Sequence, residues 1–171
     1  MAIDQALLNR AARTRLLVLD VDGVMTDGRL YYDNHGNETK AFHVRDGYGI
    51  KAVIRQGCEV AVISGRRSVA VQTRLGELGV QHAILGQDDK LPALQTLAGE
   101  LGIEDLQTVA CVGDDSPDLP ILAAVGFAVA PADAHPGVAA RVHWQTAARG
   151  GRGAVREVCD LLTRAWAEAP S

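Results

Sequence analysis

Two aspartates separated by one residue, Asp20-Val21-Asp22, are followed at once by Gly23, and further carboxylates gather at Asp114, Asp115 and Asp118. Between these groups lie Ser64-Gly65, with Arg66 and Arg67 behind them, and Lys90. Carboxylates crowded together repel and raise one another's pKa, so such a set calls for a cation. An all-oxygen, carboxylate-rich site with room for water suits Mg2+. A metal there would offset the repulsion between an anionic nucleophile and an anionic phosphate. A carboxylate can attack phosphorus and form an acyl phosphate, which splits one hard displacement into two easier ones. A second carboxylate two residues along can protonate the leaving oxygen and then activate water. Ser64 and backbone N–H groups suit the phosphoryl oxygens, and the Lys90 ammonium adds neutralising charge.

The elements that must position these residues alternate along the chain. Apolar runs at Leu16 to Leu19, Val60 to Ile63, His82 to Leu85, Thr108 to Val112 and Phe127 to Ala130 read as buried strands. Helical patterns separate them: Ala2 to Arg13, Asp46 to Gln56, a stretch reaching Leu78, one reaching about Leu101, and Ala154 to Ala167. Gly57 and Gly79 are placed to end helices in the left-handed conformation. Asp88 or Asp89 suits the cap of the fourth helix, and Ser116-Pro117 suits N-cap and N1 of the fifth. Tyr31, Tyr32 and Phe42 flank the turn-rich DNHGN, which predicts a β-hairpin over about 28–42. This alternation predicts an α/β fold, a single Rossmann-like parallel sheet flanked by helices. Ligands of such sheets sit at the carboxyl ends of the strands. An Asp after a strand often only caps a helix, and Ser-Gly often only turns. Here every candidate follows a strand, in order, at one sheet edge.

A chain of 171 residues can bury roughly 70% of its unfolded surface, so it needs no disulfide or structural metal to hold a core. The 17 basic and 21 acidic residues leave a net charge of −4, with no basic run. That disfavours a nucleic-acid partner, which needs a positive footprint. Cys58, Cys111 and Cys159 are odd in number, show no CxxC spacing, and read as reduced thiols. No apolar leader and no stretch of about 18 apolar residues is present, so a cytoplasmic protein without membrane contact is expected. The five histidines show no metal-ligand spacing, and Trp144 and Trp166 are expected to pack.

The four ordered groups resemble the motifs of the haloacid dehalogenase superfamily, over nearly the whole chain. DxDG at Asp20 to Gly23 is similar to its first motif, Ser64 to its second, Lys90 to its third, and Gly113-Asp114-Asp115-Ser116-Pro117-Asp118 to its fourth. The resemblance implies that Asp20 is the nucleophile and Asp22 the general acid/base. Mg2+ would then be held by the Asp20 carboxylate, the Asp22 backbone carbonyl and Asp114. Asp118, and with it Asp115, would support the metal or Lys90 from behind. The 44 residues between Asp20 and Ser64 (64 − 20) already hold the hairpin and a helix, so no cap domain fits. The stretches DVDGVMTDGRLYY, FHVRDGYGIK, SGRRS, GDDSPDLP, ADAHP and GGRGAVREVCDLL resemble a capless phosphatase family. Its substrate is an eight-carbon keto-acid sugar 8-phosphate on the route to bacterial lipopolysaccharide. The resemblance implies a homotetramer in which hairpins meet and a neighbouring subunit helps to close the site.

Several residues keep two readings. Arg66 can pair with a substrate carboxylate, since Arg grips planar anions with two hydrogen bonds, or it can simply open a solvated helix. Arg45, Asp46 and Gly47 either bring donors near the sugar or pack a helix start. Gly65 joins Gly23 as a candidate phosphate contact. Gly150 to Gly153, with Arg152, forms either a flap over a neighbour's site or a plain linker. The chain thus divides into a core, 1–149, and a Gly-rich segment with a C-terminal helix, 150–171. Two rival functions remain: a phosphatase for a nine-carbon keto-acid sugar 9-phosphate, and a receiver-like phosphoacceptor switch. A receiver keeps its acidic pair and its phosphoacceptor on different strands, whereas both aspartates here follow the first strand.

Overall fold

A computed structural model describes residues 4–169. Its strands are β1 (Leu16–Leu19), β2 (Tyr31–Tyr32), β3 (Glu38–Thr39), β4 (Glu59–Ser64), β5 (His82–Leu85), β6 (Val109–Val112), β7 (Phe127–Ala130) and β8 (Trp144–Gln145). Its helices are α1 (Gln5–Ala12), α2 (Val44–Arg55), α3 (Val69–Leu78), α4 (Lys90–Glu100), α5 (Leu119–Ala124), α6 (Pro136–Ala139) and α7 (Ala154–Glu168). Six strands form one parallel sheet in the order β5-β4-β1-β6-β7-β8. All four residues of β1 are buried, because the strand is central and helices cover both faces.

Side chains alternate across a strand, and each face builds its own core. Leu17, Leu19, Val60, Val62, Val112 and Val129 pack on one face with α1, α2, α3 and α7. Leu16, Val18, Ala61, Ile63, Cys111 and Ala128 pack on the other with α4, α5 and α6. Helix α7 enters the first layer through Val155, Val158 and Leu162. Cys58 and Cys159 lie in that layer and Cys111 in the other; all three are free and buried. Burial pushes the Cys58 thiol up to about 12 and raises the other two.

The sequence places most of these elements within two residues. The first helix starts at Gln5, capped by Asp4, whose Oδ1 accepts the Leu7 N–H at 2.8 Å; Ala2 and Ile3 of the expected helix lie outside the described residues. Gly57 and Gly79 are left-handed, at φ +87° and +76°. Two details differ. Asp89 stands at the N-cap of α4 without a capping hydrogen bond from its side chain. The turn before α5 is capped by Asp115, one residue ahead of the expected Ser116, because Asp118 reaches back to close a reciprocal capping box. Strand β8 and helix α6 carry no periodic signal in so few residues. Trp144 of β8 stacks on Phe127 with centroids 6.5 Å apart.

Between β1 and β4 there are only a helical turn over Val21–Met25, the β2–β3 hairpin and α2. No cap domain is inserted there. The hairpin pairs Tyr31 with Thr39 and Tyr32 with Glu38. Its turn is organised by Asp33, whose Oδ1 accepts the N–H groups of His35 and Asn37, both at 2.8 Å.

Candidate active site

Strand order reverses about β1: the chain crosses from β1 to β4 on one side and later returns to β6 on the other. The crevice beyond that switch point is where such sheets bind ligands. Leu19 is in register with Val62 and with Val112. Asp20 therefore sits one residue past the β1 rim, Ser64 two residues past it on β4, and Asp114 two past it on β6. Ser64 is buried and its Oγ accepts the Arg66 N–H at 3.4 Å.

The segment after β1 folds over Val21–Met25 in a wide turn closed by Thr26 N–H to Val21 O at 3.0 Å. Gly23 takes φ +89° there, and a β-carbon on it would lie 2.0 Å from Asp114 Oδ2. Glycine is thus required twice, for the backbone angle and for the carboxylate packed on it. Gly65 has a similar neighbour, with Asp88 Oδ1 2.8 Å from where a β-carbon would stand.

Lys90 begins α4 and is buried. Its Nζ donates to Asp20 Oδ1 at 2.7 Å and to Asp118 Oδ1 at 2.5 Å. The other oxygen of Asp118 accepts the Asp114 N–H at 2.9 Å and the Asp115 N–H at 3.3 Å. Asp118 thus has both oxygens engaged and acts by fixing Lys90 and the Asp114 backbone. Asp115 is exposed and caps Ser116 N–H at 2.7 Å.

Asp20, Asp114 and Asp118 each bring a carboxylate oxygen within 4.8 Å of the others. One ammonium faces three carboxylates. Burial, together with the Asp118 charge, pushes Asp20 up to about 6 against the pull of Lys90. Burial and the charges of Asp20, Asp118 and Asp115 push Asp114 up to about 7. Burial opposes the Lys90 charge, yet Asp20 and Asp118 hold that ammonium well above the usual lysine range. Hard oxygen donors with uncompensated negative charge fit a small divalent cation. Of the three, Asp20 and Asp114 have oxygens left to bind it.

Both raised carboxylates keep protons that the unfolded chain would lose near pH 4. Without metal, the native state binds more protons than the unfolded one from about pH 4 to 7. Its stability therefore falls as pH rises through that window. A cation must displace those protons. Apparent Mg2+ affinity should fall below pH 7, approaching roughly tenfold per pH unit for each proton displaced. Calorimetry in buffers of different ionisation enthalpy counts those protons, and an affinity constant from pH 5 to 8 would contradict the assignment.

Asp22 faces the other way. Its Oδ1 accepts from Lys40 Nζ at 2.5 Å, and Lys40 also stands 3.3 Å from Glu38 Oε1. Arg66 Nε lies 3.5 Å from Asp22 Oδ2. Arg66 Nη2 donates to Tyr32 Oη at 2.9 Å and to Glu38 Oε2 at 2.5 Å. The hairpin therefore forms the wall beside Asp22. Sequence reasoning missed Lys40, Glu38 and Tyr32. One signal existed: of 17 basic residues only Lys40, Lys51 and Lys90 are lysine, and two of these three pair with the DxD aspartates.

The C-terminal glycines are packed against the same turn. Gly150 N–H donates to Asp133 Oδ1 at 2.9 Å, and Gly151 N–H to Val24 O at 2.9 Å. A β-carbon on Gly150 would lie 1.8 Å from Gly23 O. Arg152 reaches Asp27 at 3.6 Å with its side chain largely in solvent. The structure does not bring all expected residues to the crevice. Asp46 is buried and accepts the Arg156 N–H at 2.8 Å, supplying α7 with a cap that Gly153 has no side chain to provide. Gly47 packs against Arg74, which a β-carbon would meet at 2.3 Å. Arg45 is exposed at the start of α2.

Residues 84–157 match the family model of haloacid dehalogenase-like hydrolases. The chain is 51% identical over 156 residues to the 3-deoxy-D-manno-octulosonate 8-phosphate phosphatase of Yersinia pestis, covering 91% of this chain and 83% of that one. The crystal structure of a Yersinia pestis phosphatase of the same name superposes with a TM-score of 0.94 at 48% identity, over 96% of this chain and 88% of the other. The 3-deoxy-D-manno-octulosonate 8-phosphate phosphatase of Moraxella catarrhalis, solved with a magnesium ion, a phosphate ion and a KDO molecule, superposes with a TM-score of 0.90 at 44% identity, over 92% and 90% of the two chains. With its carboxylates, Ser64 and Lys90 gathered at the switch point, the chain belongs to the 3-deoxy-D-manno-octulosonate 8-phosphate phosphatases of the haloacid dehalogenase-like hydrolases.

Proposed function

We propose that this chain hydrolyses 3-deoxy-D-manno-octulosonate 8-phosphate to the free sugar and phosphate through an aspartyl phosphate on Asp20, with Mg2+ as cofactor. One observation carries the assignment of roles. Two carboxylates one residue apart have been given different partners, Asp20 facing Lys90 and Asp118, Asp22 facing Lys40 and Arg66. A nucleophile and an acid/base need that separation.

In the first step an Asp20 oxygen attacks phosphorus, the bond to the sugar oxygen breaks, and Asp22 donates a proton to that oxygen. In the second step Asp22 takes a proton from water. The water oxygen attacks phosphorus, and the Asp20 carboxylate leaves. The Ser64 hydroxyl and the backbone N–H groups about Gly23 and Gly65 suit the phosphoryl oxygens, and Lys90 offsets charge on Asp20 throughout. The Asp20 carboxylate, the Asp22 backbone carbonyl and Asp114 would hold the metal, which supplies positive charge against the approach of two anions. Arg66, reaching solvent beyond Asp22, suits the carboxylate of the sugar. Arg152, beside Asp27, stands further out as a donor for the rest of the substrate.

The same reading extends to the assembly. Leu30, Tyr31, Tyr32, Val44, Tyr48 and Val69 are large and exposed around the hairpin and the starts of α2 and α3. Apolar surface rimming an uncapped site favours cover by another copy. The family resemblance, which this exposed surface supports only as far as cover by another copy, completes the reading with a homotetramer in the cytoplasm serving lipopolysaccharide synthesis, and light scattering at one chain per particle would overturn that assembly. The core over 1–149 is read as carrying the chemistry, and in the segment that follows Gly150 and Gly151 brace the turn that holds it.

The test is phosphate release from a panel of sugar phosphates with Mg2+ and with a chelator. Strong preference for the eight-carbon keto-acid 8-phosphate, lost with the chelator, is the expected result. Preference for the nine-carbon 9-phosphate would keep the chemistry and overturn the substrate.

A further inference from the structure

Four charges run in sequence from the hairpin to the acid/base: Arg66, Glu38, Lys40 and Asp22. Arg66 Nη2 is 2.5 Å from Glu38 Oε2, Lys40 Nζ is 3.3 Å from Glu38 Oε1, and Lys40 Nζ is 2.5 Å from Asp22 Oδ1. Two cations and two anions balance. They differ in their access to solvent: the side chain of Lys40 is 1% exposed, Glu38 15% and Arg66 44%. Arg66 is thus the member that an incoming ligand meets, and its Nη2 already donates to Glu38 and Tyr32. Glu38 Oε1 is buried and lacks a well-directed hydrogen bond.

An Arg poised to receive a carboxylate but already holding one is in competition with itself. The reaction makes that competition useful. Hydrolysis removes the phosphate from the sugar and leaves the sugar carboxylate unchanged, so the grip of Arg66 on substrate and product is the same. The substrate keeps its hold through the phosphate; the product has lost it. Resting on the reading that Arg66 receives the sugar carboxylate, we propose that Glu38 is a specificity-determining residue that occupies Arg66 in the free enzyme, yields it to the substrate carboxylate, and takes it back from the product.

The experiment measures calorimetric affinity, with Mg2+ present, for the free eight-carbon keto-acid sugar and for its methyl ester. Glu38→Gln should bind the acid about tenfold more tightly than the unmodified protein, the scale of one charge-assisted pair released from competition. The ester should bind both proteins alike. Glu38→Asp, whose shorter carboxylate reaches Arg66 less well, should fall between them, and it carries the test if glutamine unsettles the hairpin. Arg66→Met separates the two layers of the argument. If it fails to weaken binding of the acid relative to the ester, the reading of Arg66 falls and the proposal with it. If it does weaken that binding while the two Glu38 variants match the unmodified protein or bind less tightly, Glu38 is no competitor and the reading of Arg66 stands.

Discussion

Asp20→Asn is expected to leave a folded protein whose phosphate release is slower by roughly 10^4-fold or more, the scale on which loss of a covalent nucleophile is felt. The amide keeps the shape and can still accept from Lys90, which stands 2.7 Å from Oδ1. It cannot attack phosphorus. The same change removes one of the three crowded carboxylates, so Asp114, held up at about 7 by burial and next by the Asp20 charge, should titrate lower. Metal-free Asp20→Asn should accordingly lose less stability than the unmodified protein between pH 5 and 8. Single-turnover assays read the first effect and thermal melts across pH the second. Residual activity of a few per cent would identify another nucleophile.

Gly150→Ala should impair catalysis from a position that carries no functional group. Its β-carbon would fall 1.8 Å from Gly23 O and 3.0 Å from Thr26 O. Both are backbone atoms, so no side chain can swing aside and the turn carrying Asp22 must shift. A displacement near 1 Å costs catalysis on the order of 10^2-fold, so kcat/KM should drop by about that factor. Gly99→Ala is the matched control, because nothing lies within 4 Å of the added carbon in α4. It should stabilise the helix by about 1 kcal/mol with kinetics unchanged. Unimpaired turnover in Gly150→Ala would mean that the 150–153 segment yields and that its packing on the turn is incidental.

These cases mark what the sequence could convey. Asp20, Ser64 and Asp114 were legible because each interrupts or ends an apolar run, and a parallel sheet places such endings on one rim. Lys90 was legible as the first residue of a helical pattern after a strand. The hairpin was legible as a turn, but its fold back onto Asp22 is a tertiary event with no local trace, so Lys40, Glu38 and Tyr32 were missed. The packing of Gly150 on Gly23 O left no local trace for the same reason. Composition reports freedom, whereas the contact with Gly23 O makes glycine a requirement of close packing. Asp46, read either as near the sugar or as part of a helix start, is engaged by the first turn of α7, with burial raising its pKa against the Arg156 N–H.

The three cysteines described with the core have a practical consequence. Thiolate is the reactive form, and burial holds all three thiols protonated at neutral pH. The folded molecule thus offers alkylating reagents almost no thiolate to attack. Cys111 sits on one side of the sheet, Cys58 and Cys159 on the other. Each thiol becomes reactive only when its own layer parts from the sheet, so labelling at Cys159 against Cys111 times the release of one helical layer against the other.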